Sequence, residues 1–381
     1  MPVVPARIHL LGLLATTLII SIMVAQPILP LYLERHGLPT VEVGVLVGIM
    51  SLSLIVTEVG ALAVSRRLGR RSTIVLGSVG AAATQLWFAV AATRPEWYLA
   101  RLLFGAFRGL LWPLLFAEVA DAAPAGRHGP AFAVFWLYFG VGLLIGPWLG
   151  GWIGDAFDLR TPLVASAVSC LVPLAFAPSI TPRHDAPLSV GGSLRALVAH
   201  REIVTVWTLN GLHTTIYALF STFLPLYAAR VGLSATQIGL LFAVGSATFT
   251  LAQVPARRVL GRGTALAALG PAYVGRSAVI AAMPLLRSFG TLLGANALLG
   301  IVGAIIPPAL SARLAVVTPA AYLVVAMGAQ TAAADLGFFL GPVLGGIAAS
   351  YGLLWPFLLA LPIALVGAVL IRMRLGVKVT P

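Results

Sequence analysis

The amino-acid sequence predicts an all-α integral membrane protein: twelve transmembrane helices in two six-helix bundles of the same topology. Three observations carry that expectation. Charged residues make up only 9% of the 381-residue chain against 60% hydrophobic residues. Twelve apolar stretches of spanning length follow one another with short polar breaks. The second half of the chain also repeats the first at a constant offset.

A water-facing domain carries roughly 25% charged residues, because its surface must be solvated. With a mean hydropathy of +1.01, this chain cannot clothe such a surface, but it can face lipid. A helix needs about 20 apolar residues to cross the hydrocarbon core, so the length accommodates twelve crossings with short loops. A net charge of +13 is of the sign a nucleic-acid binder carries. Here, however, the basic residues sit in small clusters between apolar runs, the distribution of the positive-inside rule, and no nucleic-acid partner is expected. The single cysteine, Cys170, excludes an internal disulfide and a cysteine-based metal cluster. It reads as a small apolar residue within a helix. Residues 1–9 are too short for a domain, and the apolar run that follows is long for a signal peptide and lacks a cleavage site.

In chain order the expected spans cover about 8–31, 41–64, 73–93, 97–119, 130–152, 161–180, 203–229, 235–256, 264–286, 289–310, 321–346 and 354–373. The seventh, ninth and tenth are interrupted by polar residues. The longest polar insert, Thr181 to Glu202, separates six spans from six. The expected division is therefore a bundle at 1–180, a cytoplasmic linker at 181–202 and a bundle at 203–381. With the N-terminus inside, internal segments hold 16 Arg and Lys, external segments 5, and the spans 3. This asymmetry places both termini in the cytoplasm, and a bacterial inner membrane is the expected location.

The repeat is read from residues. Leu29-Pro30-Leu31-Tyr32, Arg35, Gly37, Leu38, Gly44 and Leu46 recur 195 positions later as Leu224-Pro225-Leu226-Tyr227, Arg230, Gly232, Leu233, Gly239 and Leu241. The same offset maps Gly146-Pro147 and Gly150-Gly151 onto Gly341-Pro342 and Gly345-Gly346, Gly105 onto Gly300, and Pro113 onto Pro308. A shift of six spans preserves orientation. These are parallel repeats about an axis along the membrane normal, an architecture used by large transporters with a central site.

At these positions the chain resembles the major facilitator superfamily over nearly its whole length. The family's loop between spans two and three reads Gly-x-x-x-Asp-Arg/Lys-x-Gly-Arg/Lys-Arg/Lys. Residues 62–71 match at Arg67, Gly69, Arg70 and Arg71, with Leu62 and Arg66 in place of the glycine and the aspartate. That departure bears on the interdomain charge contact the family builds with the aspartate. A degenerate copy occupies 257–262. The family's arginine four residues before a glycine in span four is matched by Arg101 and Gly105. The pattern Gly-x-x-x-Gly-Pro-x-x-Gly-Gly of efflux members is matched by Gly142, Gly146, Pro147, Gly150 and Gly151, and again by Gly337, Gly341, Pro342, Gly345 and Gly346. Pro27 and Pro30 also resemble a pattern of twelve-span antiporters. The resemblance implies a transporter that works by alternating access, with a bias towards proton-coupled efflux. Independently of the family, small residues at four-residue spacing let helices approach closely in lipid, and proline permits bending.

Ionisable residues within spans cost about 2.5–3.5 kcal/mol on insertion scales and are functional candidates by default. Five stand out: Glu58, Arg101, Arg108, Arg276 and Asp335. Asp335 lies roughly 21 Å from the cytoplasmic start of span eleven at about 1.5 Å per residue. A desolvated carboxylate there suits reversible protonation. Glu58, nearer the cytoplasmic end of span two, is a second coupling candidate or a partner of Arg66 or Arg67. Arg108, mid-span and seven residues from Arg101 on one face, needs a carboxylate or an anionic substrate group as acceptor. Arg276 reads as a structural pair or a misplaced span boundary. Span seven carries a polar stripe, Asn210, His213, Thr214, Tyr217 and Ser221, at steps that keep one face. It is a candidate cavity lining. An aromatic face at Phe132, Phe135, Trp136 and Phe139 suits an apolar ligand or lipid and helix packing.

The lone lysine, Lys378, excludes a phosphate-binding loop of the Gly-x-x-x-x-Gly-Lys-Ser/Thr type, so energy must come from a gradient or a partner. Neither His-Glu-x-x-His nor Gly-x-Ser-x-Gly occurs, which argues against an intramembrane enzyme. The expected partners are a small-molecule substrate, protons as coupling ion and the lipid bilayer. No cofactor or metal is expected, and the protein is expected to be a monomer. Uptake or exchange of a sugar or organic anion is the alternative within transport. A non-transporting sensor is a remote one.

Overall fold

The computed structural model describes residues 5–124, 128–180, 190–260, 265–319 and 322–375. Among them the regular structure is helical throughout. The helices are α1 (Ala6–Met23), α2 (Leu29–Arg35), α3 (Thr40–Leu68), α4 (Arg70–Val90), α5 (Arg94–Gly109), α6 (Leu111–Ala122), α7 (His128–Ala156), α8 (Thr161–Ser169) and α9 (Pro173–Phe176). They continue as α10 (Val190–Val198), α11 (Arg201–Arg230), α12 (Ala235–Leu260), α13 (Ala265–Ala282), α14 (Phe289–Gly303), α15 (Ile306–Val317), α16 (Leu323–Ala349) and α17 (Trp355–Arg374). Among the described residues, ten helical segments are long and apolar enough to cross a membrane. The expected seventh and ninth spans form α11 and α13, which are not among those ten.

Several expected spans are divided, and proline explains where. Span one breaks between α1 and α2 around Pro27, because proline lacks the N–H that would continue the helix and its ring crowds the preceding turn. Span four breaks at Leu110: Pro113 cannot bond the Gly109 carbonyl, and the Leu110 N–H turns to Phe107 O at 3.3 Å. Span ten breaks equivalently before Pro307 and Pro308, with Ala304 N bonded to Gly300 O at 3.1 Å. The two breaks stand at the same place in the repeat. Pro147, Pro225, Pro342 and Pro362 sit inside helices that remain continuous. The polar insert contributes the short helix α10.

Two compact units emerge. Unit 1 comprises Met1–His36, Ile49–Pro187 and Ser234–Ala243, and unit 2 comprises Gly37–Gly48, Leu188–Leu233 and Val244–Pro381. In unit 1, α1 packs on α7, and α4 on α5 and α8. In unit 2 the repeat-equivalent pairs recur: α11 on α16, and α13 on α14 and α17. Each unit also holds the first residues of a helix from the other half of the sequence. In unit 1 the Asp155 carboxylate accepts hydrogen bonds from Ala235 N at 2.9 Å and Thr236 N at 2.7 Å, a favourable charge on the free amides of a helix start. In unit 2, Thr40 Oγ1 donates to Gly346 O at 3.2 Å.

Glycine makes these approaches possible. A Cβ on Gly239 would collide with Pro147 O, and one on Gly44 with Pro342 O, which are equivalent contacts in the two units. Gly150 is pressed on the Val24 backbone and Gly341 on that of α11. Gly37 and Gly232 serve differently: each has open space around it but a positive φ, 74° and 89°. These equivalent turns therefore need glycine for conformation rather than room.

Gly150→Leu should prevent close packing of α7 on α1. Overpacking costs about 1–3 kcal/mol or more when backbone must shift, so a thermal midpoint at least about 2 °C below wild type is expected in detergent. Gly60→Leu, a position with nothing within 4 Å, should leave that midpoint unchanged.

Candidate functional site

Unit 1 encloses the guanidinium of Arg108, which is fully buried. Its Nη1 donates to Ser21 Oγ at 3.0 Å and Leu18 O at 3.3 Å, both on α1. Its Nε and Nη2 meet no hydrogen-bond acceptor among the described residues. A buried donor left without an acceptor costs about 1–3 kcal/mol, and more on a charged group. Arg101, one face along α5, is also buried, with Phe88 and Phe104 rings at 5.8 and 5.7 Å. The Phe104 ring also lies 5.7 Å from the Arg108 guanidinium, a cation–π arrangement. Glu58 stands where α3 crosses α5: its backbone N is 3.1 Å from where a Cβ on Gly109 would lie.

Unit 2 gathers the polar stripe. Asn210, His213, Thr214 and Ser221 are all buried. Asn210 Nδ2 donates to Gln330 O at 2.9 Å, Thr214 Oγ1 to Asn210 O at 3.1 Å, and Ser221 Oγ to Ala218 O at 3.2 Å. Arg276, which the sequence alone did not place in a site, is brought against this stripe by α13. Its Nη1 lies 2.7 Å from His213 Nδ1, and its guanidinium sits over the Tyr217 ring at 5.5 Å. Tyr273, one turn earlier on α13, donates its hydroxyl to Leu209 O. Asp335 is half-buried on α16, within a turn of Ala333 and Gly337, which touch Gly211 and Thr214 of α11. No group of three or more potential metal ligands occurs among the described residues.

A family profile described as Major Facilitator Superfamily matches residues 11–283 and 206–381. The chain belongs to the Major Facilitator Superfamily. It is 24% identical over 236 residues to the quinolone resistance protein NorA of Staphylococcus aureus, with 60% of each chain covered. It thus spans about 60% of the length of the curated relatives it matches. Among solved folds it is similar to a nucleoside transporter, NupG, with TM-score 0.82 and 13% identity over 96% of this chain and 99% of that one. A bacterial homologue of the human lysosomal transporter Spinster, inward-facing and unoccupied, superposes with TM-score 0.77 and 14% identity over 99% and 98%. At such identity these likenesses show the fold.

The superfamily loop is built as follows. Gly69 is the single residue between α3 and α4. Arg70 opens α4, a helix end that disfavours a cation, and two acids of α6 hold it there. Its Nη1 is 3.1 Å from Glu118 Oε1 and 2.6 Å from Asp121 Oδ2. Glu118 is fully buried and also receives Arg7 Nη2 at 2.5 Å. The Arg67 and Arg71 side chains are exposed. The acids were missed because each is an ordinary residue late in an apolar run. Their one signal was that a superfamily member lacking the motif's aspartate must find acids elsewhere for Arg70.

Glu118→Gln should destabilise unit 1, because breaking a buried ion pair costs about 3–5 kcal/mol, discounted here by the remaining Asp121 bond. A lowered thermal midpoint in detergent is the expected reading. Asp121→Asn, at a more exposed carboxylate, should lower it less.

Proposed function

We propose that this chain is a secondary active transporter that expels a small amphiphilic or drug-like solute in exchange for protons, by alternating access. The moving bodies in this reading are residues 1–180 and 203–381, joined by 181–202. The protein works as a monomer in a bacterial inner membrane, with both termini cytoplasmic. The observation that carries the reading is Arg108, a fully buried cation in the last turn of α5 whose Nε and Nη2 meet no hydrogen-bond acceptor among the described residues. A purely structural arginine would be saturated, whereas one that meets a ligand or a coupling carboxylate in turn has a reason to keep donors free.

Efflux is favoured by the repeated Gly-Pro-x-x-Gly-Gly segments and by the likeness to a resistance protein. Proton coupling is assigned to Asp335, with Glu58 as second carrier, and substrate contact to Arg101, Arg108 and the stripe Asn210, His213, Thr214, Tyr217 and Ser221. The same arginine favours exchange of an organic anion as the second reading, since guanidinium matches a carboxylate in two-point geometry.

Purified protein in proteoliposomes, with ethidium as the amphiphilic probe and carboxyfluorescein as the anionic one, tests this. An imposed pH gradient should drive ethidium accumulation, and Asp335→Asn should abolish it at normal protein levels. Movement indifferent to the gradient would remove proton coupling. Movement of carboxyfluorescein alone would replace the first reading by the second.

A further inference from the structure

Arg276 and Arg108 occupy equivalent places in the two units although they are not equivalent in sequence. The repeat offset maps Arg108 onto Gly303 and Arg276 onto Ala81. Yet the Arg276 guanidinium fills the space beside Gly303: a Cβ there would lie 3.6 Å from its Nε and 3.8 Å from its Cζ. The acceptors correspond as well. Arg108 donates to Leu18 O, and Leu18 maps onto His213, which accepts from Arg276. Each unit thus seats one buried guanidinium at the same register of its first repeat helix.

The seats differ in one chemical respect. Arg108 rests on a carbonyl and a hydroxyl, which keep their lone pairs at any physiological pH. Arg276 rests on an imidazole. A guanidinium donates and cannot accept, so His213 must present a lone pair to the nitrogen 2.7 Å away. A protonated ring has no such lone pair and would set two cations in contact in a low-dielectric layer. We propose that His213 and Arg276 form a proton-operated switch, in which a proton taken up by His213 expels the Arg276 guanidinium and so shifts the conformational equilibrium. This rests on the transporter reading and assigns part of its proton coupling to a residue pair on α11 and α13.

The titratable and charged groups around the ring are few. Its own helix offers Tyr217. From α13 come Tyr273, with its ring 6.2 Å away, and Arg276. From α16 comes Asp335. Among the described residues, α14 carries no ionisable side chain, α15 carries only Arg313, paired with Glu202, and α17 has arginines only in its last turn. Asp335 is thus the competing proton acceptor.

Spin labels at Phe157→Cys and Tyr351→Cys, both exposed, in a Cys170→Ala background, report conformation in lipid nanodiscs without any substrate. Between pH 5 and pH 9 the ratio of distance populations should change reversibly by at least about threefold. His213→Gln, which keeps a neutral acceptor, and Arg276→Gln should each flatten that response. His213→Asn replaces the glutamine variant if the latter is not monodisperse. A pH-independent wild type, or a response that survives His213→Gln and disappears in Asp335→Asn, would overturn the switch. Failure of every probe to cross proteoliposomes, with the pH response intact, would instead count against the transport reading.

Discussion

Water is missing from the middle of a bilayer, and most of what distinguishes this chain follows from that. A backbone or side-chain polar group that cannot reach solvent must be satisfied from within the protein or bear the cost. Hydroxyls along α11 turn back to carbonyls one turn earlier, and Asn210 crosses to α16. Helices joined without a hydrophobic drive need close contact, so glycines lie where backbone meets backbone. Among the described residues a few buried polar atoms find no hydrogen-bond partner, such as Gln85 Oε1, Ser277 Oγ and two nitrogens of Arg108. Arg108 is the plainest case.

The repeat shares its backbone devices between the halves and divides its chemistry. Gly44 and Gly239, Gly37 and Gly232, and the breaks before Pro113 and Pro308 recur in place. The charged groups do not. One unit fixes its buried guanidinium on atoms that never titrate, and the other fixes its own on a histidine. Duplication supplies two scaffolds of the same fold, after which substitutions on either can diverge in chemistry.

Much of the fold was legible beforehand, because spanning length, proline and glycine act locally. The offset of 195, the twelve stretches and the Gly-Pro segments need no knowledge of neighbours. Helix breaks inside spans one, four and ten are local too, although one apolar run conceals them. The site was less legible. Arg276 and His213 are 63 residues apart, and nothing along the chain says that α13 lays its arginine on α11 rather than on another helix. Arg70 was recognised from its loop, but Glu118 and Asp121, its partners, were not. Pairings between helices are set by packing geometry, which composition and period do not encode.

The central claim is that the buried charge of Arg108 is kept for function rather than for stability. Arg108→Met, with matched length and no charge, separates the two most directly, because replacing a buried ion by a well-packed apolar group is often neutral or stabilising. Thermal midpoint and probe movement per folded molecule are measured on the same purified protein. If Arg108 serves transport, the midpoint stays at or above wild type and transport falls by about tenfold or more, a loss of about 1.4 kcal/mol in transition-state stabilisation. A variant that transports normally but melts early would contradict that claim.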